Sequence, residues 1–204
     1  MNEIPSPSRK RLVTLSQLLS QIENDRVTSV ELSRLTGWSE ATIRRDISLL
    51  HLHSGKSNGY SKEELKNSIC EKLNISDSNS ACCRFCIVGL GRLGSALLET
   101  SVYPDSNFQL AAGFDSSTNR TEILKSSVDL YSTAELESVI KSKKIEYALL
   151  AVPDAKAQSA AEKLVSCGIK GIVNYTGTVL SLPESVSVEN VNTLTVLRSM
   201  VGNG

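Results

Sequence analysis

The glycine run Gly89-Leu90-Gly91-Arg92-Leu93-Gly94 follows the apolar segment Phe85-Cys86-Ile87-Val88, and residues 1–80 in front of it have a different character. Glycines at this spacing, between a strand and a helix, form a dinucleotide fingerprint that is informative only in that context. Gly89 sits where a tight turn is needed, Gly91 where backbone must approach a pyrophosphate, and Gly94 where helix and strand must pack closely. Leu90, Arg92 and Leu93 complete the cradle, and the phosphate is expected on the N-terminus of a helix containing Leu93, Ala96, Leu97 and Leu98. An enzyme built on this motif spends its remaining length on a substrate domain. Here the preceding segment reads as a DNA-binding module, an order that suggests a sensor.

A chain of 204 residues is long enough for one large domain or two small ones, and the change of character near residue 80 favours two, 1–80 and 81–204. The 22 basic and 22 acidic side chains cancel, so nothing polybasic advertises nucleic acid or anionic membrane, and any DNA contact must be local. Residues 1–60 hold eight Lys or Arg against six Asp or Glu, a surplus that suits a dimer better than a lone clamp. The N-terminus lacks a signal-peptide pattern and no run of 18 apolar residues occurs, so a cytoplasmic protein without a membrane partner is expected. Cys70, Cys82, Cys83, Cys86 and Cys167 are then expected to be reduced. Cys83 and Cys86 match C-x-x-C but enter a strand that points them to opposite faces, so packing is expected of them and no metal site.

The first sixty residues read as three helices and a short wing. Leu12, Leu15, Leu18, Leu19 and Ile22 form one apolar stripe; Thr28-Ser29-Val30-Glu31 has capping-box spacing and opens a helix that Gly37 stops; Ser39 caps a third. In that third helix Ile43, Ile47 and Leu50 face inward and leave Thr42, Arg44, Arg45 and Ser48 outward or flanking. This is helix-turn-helix geometry, in which the second helix of the pair enters the major groove. Arg44 and Arg45 are the candidate readers of base edges or phosphates, with Ser39, Thr42 and Ser48 beside them. The turn-rich stretch 51–60 reads as a wing from which Lys56 would reach a phosphate, with His51 and His53 as filling rather than metal ligands. A fourth helix with Leu65, Ile69 and Leu73 and a polar linker through Ser80 complete this half.

From Arg84 onward apolar strands alternate with helices, the pattern of a parallel sheet covered on both faces. Strands are expected at 84–88, 109–114, 147–152 and 171–174, with weaker ones near Leu130 and at 187–191. Asp115 ends the second strand, 26 residues after Gly89, where a carboxylate accepts hydrogen bonds from the adenine ribose; this favours NAD(H), with Arg120 near enough in sequence to soften the preference. Val152-Pro153 and Asn174-Tyr175 end two further strands on the side where ligands of open α/β sheets bind. Catalysis is not expected. No tyrosine has a lysine four residues on, as short-chain dehydrogenases require, and the two histidines lie in the wing.

Taken in order, Ala41-Thr42-Ile43-Arg44-Arg45-Asp46-Ile47-Ser48, Gly59-Tyr60, Gly89-Leu90-Gly91-Arg92-Leu93-Gly94-Ser95-Ala96-Leu97, Phe114-Asp115, Val152-Pro153, Gly168-Ile169-Lys170-Gly171-Ile172 and Val188-Glu189-Asn190-Val191 carry a resemblance over almost the whole chain. The sequence resembles the Rex redox-sensing transcriptional repressors. The resemblance implies an N-terminal winged helix-turn-helix domain followed by a Rossmann-type doubly wound parallel sheet. It also implies a homodimer on a palindromic DNA operator, released when NADH fills the pocket and restored as NAD⁺ competes. Three departures stand out: a wing reading Leu50-His51-Leu52-His53-Ser54-Gly55-Lys56, Asn192-Thr193 where the family places Asp and an aromatic near the nicotinamide, and Gln17 in place of a basic partner for that Asp. The last apolar segment, 194–201, is short for a helix exchanged across a dimer. The alternatives are a divergent regulator without redox discrimination and a non-regulatory nucleotide- or CoA-binding module, since fold alone does not fix function.

Overall fold

Capping residues divide the first half of the chain into helices before any packing is considered. In the computed structural model, which describes residues 4–52, 59–75, 82–99, 103 and 107–201, α1 (Ser6–Leu19) follows Pro5 and carries Pro7 in its first turn, where a missing N–H leaves no helical hydrogen bond unmade. Thr28 and Glu31 close a reciprocal capping box on α2 (Ser29–Thr36): Glu31 N–H donates to Thr28 Oγ1 at 3.2 Å and Thr28 N–H to Glu31 Oε2 at 2.8 Å. Gly37, at φ +72°, reverses the chain, and Ser39 caps α3 (Glu40–Ser48). α4 (Lys62–Leu73) is capped by Ser61 and ended by Asn74 in the left-handed region. Leu12, Leu15, Leu19, Leu32, Ile43, Leu65 and Ile69 meet in one core with almost no exposure. Burial of that kind stabilises by about 1.5–3 kcal/mol per side chain.

Two short strands, β1 (Arg26–Val27) and β2 (Tyr60–Ser61), pair antiparallel, with Val27 opposite Tyr60. They anchor the base of the stretch read as a wing. The stretch 53–58, with His53, Gly55 and Lys56, lies outside the described residues.

The chain divides into two compact units, Met1–Ser80 and Ala81–Gly204. In the second, six parallel strands form one sheet: β3 (Cys83–Val88), β4 (Phe108–Asp115), β5 (Leu130–Ser132), β6 (Tyr147–Leu150), β7 (Gly171–Asn174) and β8 (Ser187–Asn190). Their spatial order is β5-β4-β3-β6-β7-β8, so the direction of winding reverses between β3 and β6. Ligands of open α/β sheets bind at the carboxyl ends of the strands at such a switch point.

The helices of this unit are α5 (Arg92–Ala96), α6 (Thr118–Ile123), α7 (Leu136–Lys143), α8 (Asp154–Ser166) and α9 (Thr193–Val201). Strand alternation sorts the core into two layers. Cys86, Val88, Ala112, Phe114 and Leu150 pack with Leu136 and Ile140 of α7 and Ala157, Ala161 and Leu164 of α8. Phe85, Ile87, Leu90, Leu98 and Leu110 form the other layer. Cys86 is thus a core residue, and burial followed by nearby Cys167 pushes its thiol up to about 12, which leaves it unreactive. Among the described residues none of Cys70, Cys82, Cys83, Cys86 and Cys167 forms a disulfide.

Two local expectations need correction. The strand expected at 147–152 stops at Leu150, because Val152-Pro153 turns into α8 and Pro153 offers no N–H to continue the ladder. The helix after the glycine run is one turn long, and Leu97 and Leu98 follow it in a turn.

Candidate functional site

Backbone contacts give the three fingerprint glycines different duties. A Cβ on Gly94 would lie 1.8 Å from the carbonyl oxygen of Gly89, so the start of α5 rests directly on the turn before it. Gly89 itself, at φ +94°, passes 2.6 Å (as an added Cβ) from the carbonyl oxygen of Ala151, where the β3 and β6 ends adjoin. Gly91 is the opposite case: an added Cβ meets nothing within 4 Å. The open side of Gly91 belongs to a cavity of about 720 Å³ at the switch point. That volume is of the size small-molecule and cofactor sites have. With side chains excluded only at the turn and free space in front of it, these residues fit a bound dinucleotide.

Asp115, the last residue of β4, lines the cavity and is 3% exposed. Its Oδ2 accepts from the Leu90 N–H at 2.7 Å and its Oδ1 from the Ser117 N–H at 2.8 Å, while Arg120 Nη1 lies 3.2 and 3.4 Å from the two oxygens. Burial pulls the carboxyl pKa up; the Ser117 and Leu90 amides and the Arg120 guanidinium together outweigh it and hold the group below the ordinary carboxylate range. Leu90 therefore contributes through its backbone, its side chain being in the core.

Val152 and Pro153 also line the cavity, together with Thr133, Lys156 and Lys163, which the sequence did not single out. The β6 and β7 exit turns are tied to each other: Asp154 Oδ1 accepts from the Gly177 N–H at 2.9 Å, and Thr178 Oγ1 donates to the Asp154 carbonyl at 3.1 Å. Of the other sequence candidates, Arg92, Leu93 and Gly94 lie on α5 away from the lining, and Leu93 is exposed.

Asn174, expected to contact cofactor, is fully buried and its amide is spent. Its Oδ1 accepts from the Thr176 N–H and hydroxyl, and its Nδ2 donates to the Thr178 carbonyl and to Asn190 Oδ1 at 2.8 Å each. It shapes the turn that carries half-buried Tyr175. Asn192 caps α9, its Oδ1 accepting from the Leu194 and Thr195 amides at 3.0 and 3.2 Å.

In the first unit α3 presents one polar face. Ser39 Oγ accepts from the Thr42 N–H and lies 2.8 Å from Thr42 Oγ1. Ser48 Oγ donates to the Arg45 carbonyl at 2.6 Å. The two arginines differ. Arg44 Nε donates to Ser29 Oγ at 3.0 Å and its Nη2 pairs with Glu40, whereas the exposed guanidinium of Arg45 has no partner among the described residues. Sequence patterning missed the buried side of this helix: Asp46 is fully buried and paired with Arg11 of α1. Its place between Ile43 and Ile47 on the apolar stripe was the available signal.

Known proteins resemble the two units separately and together. Residues 3–48 match the family described as putative DNA-binding protein N-terminus, and residues 83–178 match the CoA binding domain family. The redox-sensing transcriptional repressor Rex of Limosilactobacillus reuteri (strain DSM 20016) is 33% identical over 202 residues, covering 98% of this chain and 92% of that protein. The chain belongs to the Rex family. Rex proteins are transcriptional repressors, so this is a regulator and not an enzyme. The solved structure of RSP, a Rex-family repressor, in complex with beta-NADH superposes with a TM-score of 0.84 at 26% identity, covering 100% of this chain and 95% of that one. RSP in complex with beta-NAD+ and operator DNA gives 0.84 at 28% identity, covering 99% and 92%. A helical N-terminal unit with the α2–α3 helix-turn-helix pair, followed by a Rossmann-type α/β unit, is the fold of this chain, and RSP is similar to it along the whole length. Among the described residues no group of three or more His, Cys, Asp or Glu is placed to hold a metal ion, and no helix is long and apolar enough to cross a membrane.

Proposed function

We propose that this chain is a repressor that binds operator DNA through α3 and NAD(H) through the cavity at the β3–β6 switch point, with NADH promoting release. The observation that carries the reading is the open side of Gly91 on a 720 Å³ cavity, in the same chain as a capped α2–α3 pair. The likeness to RSP supports it along the whole length, since that protein has been solved both with beta-NADH and with beta-NAD+ and operator DNA.

Bound cofactor supplies the redox signal, and the chain's residues do the measuring. Gly89 and Gly94 keep the turn tight, Gly91 leaves room for the pyrophosphate, and Val152 and Pro153 offer apolar surface beside it. On α3 Arg45, unpaired among the described residues, is available to a base edge or phosphate, Arg44 is steadied by Ser29 and Glu40, and Ser39, Thr42 and Ser48 flank them. A homodimer places two such helices on a palindrome, with half-sites about 34–36 Å apart or a multiple of that. The exposed apolar residues Leu194, Leu197, Met200 and Val201 of α9 support a dimer contact. The working compartment is the cytoplasm. NADH shifts the equilibrium only by its differential affinity for the DNA-free and DNA-bound conformations.

A second reading, a regulator that holds cofactor without telling its oxidation states apart, is favoured by Asn192. Its amide oxygen is committed to the α9 amides, and Thr193 offers little surface to a nicotinamide. Selection of duplexes from random sequence by the purified protein, followed by elution with NADH and in parallel with NAD⁺, tests both. The primary reading expects a palindrome and elution by NADH. Equal elution by the two cofactors supports the second reading, and failure to enrich any sequence removes both.

A further inference from the structure

Asp115 occupies the position that ordinarily selects NAD(H) by accepting the ribose hydroxyls and repelling a 2′-phosphate. An ionised carboxylate offers about four acceptor sites on its two oxygens. Here those oxygens already receive the Leu90 amide at 2.7 Å, the Ser117 amide at 2.8 Å and Arg120 Nη1 at 3.2 and 3.4 Å. No site is left for a ribose hydroxyl unless one of these donors withdraws. The negative charge is buried and compensated, so the usual reason for excluding a phosphate is weak.

The surroundings are basic. Among the described residues that line this cavity Asp115 is the only carboxylate, against Arg120, Lys156 and Lys163. The Arg120 side chain is 55% exposed and uses one nitrogen on Asp115, which leaves the rest of its fork for another anion. Lys156 has no partner among the described residues, and Lys163 Nζ donates only to the Thr133 carbonyl, at 2.8 Å. Ser116 and Ser117 lie in the lining next to Asp115, where a phosphate ester on the 2′ oxygen would find hydroxyl donors.

We propose that the adenosine end of the cavity accepts a ribose 2′-phosphate, with Arg120 as its principal partner, so that the chain binds NADP(H) as well as NAD(H). The proposal rests on the dinucleotide reading above and reverses the preference expected from Asp115 in the sequence. The pool that this repressor senses then includes the phosphorylated cofactor.

The test is titration of the full chain with NADH and with NADPH, followed by the reduced nicotinamide's fluorescence and by calorimetry, for the wild type, Arg120→Ala and Arg120→Lys. The expected dissociation constants in the wild type lie within about tenfold of each other. Arg120→Ala shifts the NADPH-to-NADH affinity ratio by roughly tenfold or more against NADPH, because a charge-assisted contact to the phosphate is lost and the uncovered Asp115 repels it while becoming free to accept the ribose hydroxyls of NADH. Arg120→Lys restores part of the NADPH affinity. Competition by 2′,5′-ADP more strongly than by 5′-AMP locates the effect at the 2′ position. NADPH binding about a hundredfold weaker than NADH, or equal weakening of both by Arg120→Ala, overturns the proposal and leaves the dinucleotide reading standing. Binding of neither cofactor overturns both, and binding of NADPH without NADH overturns the proposed dual acceptance.

Discussion

Arg11 of α1 grips Asp46 of α3 with two nitrogens, Nε at 2.5 Å from Oδ2 and Nη2 at 3.0 Å from Oδ1. The Asp46 side chain is 1% exposed and Arg11 27%, so the pair fixes the helix assigned to DNA reading against the core from its inner side. Breaking a buried pair strands a charge and costs about 3–5 kcal/mol; partial exposure of Arg11 brings the expected loss to about 2–3 kcal/mol. Arg11→Ala is expected to lower the thermal stability of the first unit and weaken operator binding while NADH affinity is unchanged. Thermal unfolding and cofactor titration of the same sample check this, and a stability within about 0.5 kcal/mol of wild type would deny the pair its role.

The neighbouring arginines of α3 are expected to behave differently. Arg45 has no side-chain partner among the described residues, so the expected effect of Arg45→Ala is confined to operator binding, a loss of about 1–3 kcal/mol with relaxed sequence preference if it reads a base. If it holds a phosphate, the loss is uniform across sequences and the salt dependence of binding becomes shallower by about one counterion. Arg44→Ala also releases Glu40 and Ser29, so part of its effect is expected in the helix itself, visible as reduced helicity. Replacing both is expected to abolish operator binding with cofactor binding intact. Anisotropy titrations of a selected duplex at several salt concentrations separate these outcomes.

Gly91→Val and Gly94→Ala probe the same motif with opposite consequences. The new side chain at Gly91 enters open space, so the protein is expected to fold with normal stability and lose NADH binding. At Gly94 the added carbon collides with the Gly89 carbonyl, and loss of stability is expected to accompany any loss of binding. Unchanged NADH affinity in a folded Gly91→Val protein would place the cofactor elsewhere.

Asp115 gives the second unit an acid-sensitive support. A carboxyl held below its ordinary pKa in the folded state stabilises the fold at pH values above the unfolded-state pKa, and that contribution is lost as pH falls through the lowered folded-state value. Protonation leaves Leu90 N–H, Ser117 N–H and Arg120 facing a neutral acceptor. Asp115→Asn is expected to be less stable than wild type near neutral pH and to show a flatter decline below about pH 4. Melting temperature against pH for the two proteins is the measurement; parallel curves would exclude Asp115 as the group responsible.

The sequence made the architecture legible because local signals agreed with one another. Thr28 and Glu31 announced a capping box that the structure closes, Ser39 marked the start of α3, and period-two alternation sent Cys86 to the core. It was less informative wherever a polar side chain finds its partner across the fold. Asn174 stands at a strand end like a ligand contact, but its bonds to Thr176, Thr178 and Asn190 depend on how β7 and β8 pair. Asp115 reads as a ribose acceptor until the Leu90 and Ser117 amides and Arg120 are seen to fill its oxygens. Asp46 interrupts an apolar stripe, and nothing near it in sequence identifies Arg11, 35 positions earlier, as its partner. Lys156 and Lys163 reach the cavity only because α8 packs its Ala157, Ala161 and Leu164 into the sheet's apolar layer.

Operator binding at fixed salt, titrated with NADH and separately with NAD⁺, bears most directly on the proposed sensor. A duplex selected by the protein should be released by NADH at concentrations that NAD⁺ matches only in large excess, and added NAD⁺ should reverse the release. Retention of the duplex at saturating NADH, or equal release by both cofactors, would contradict redox sensing by this chain.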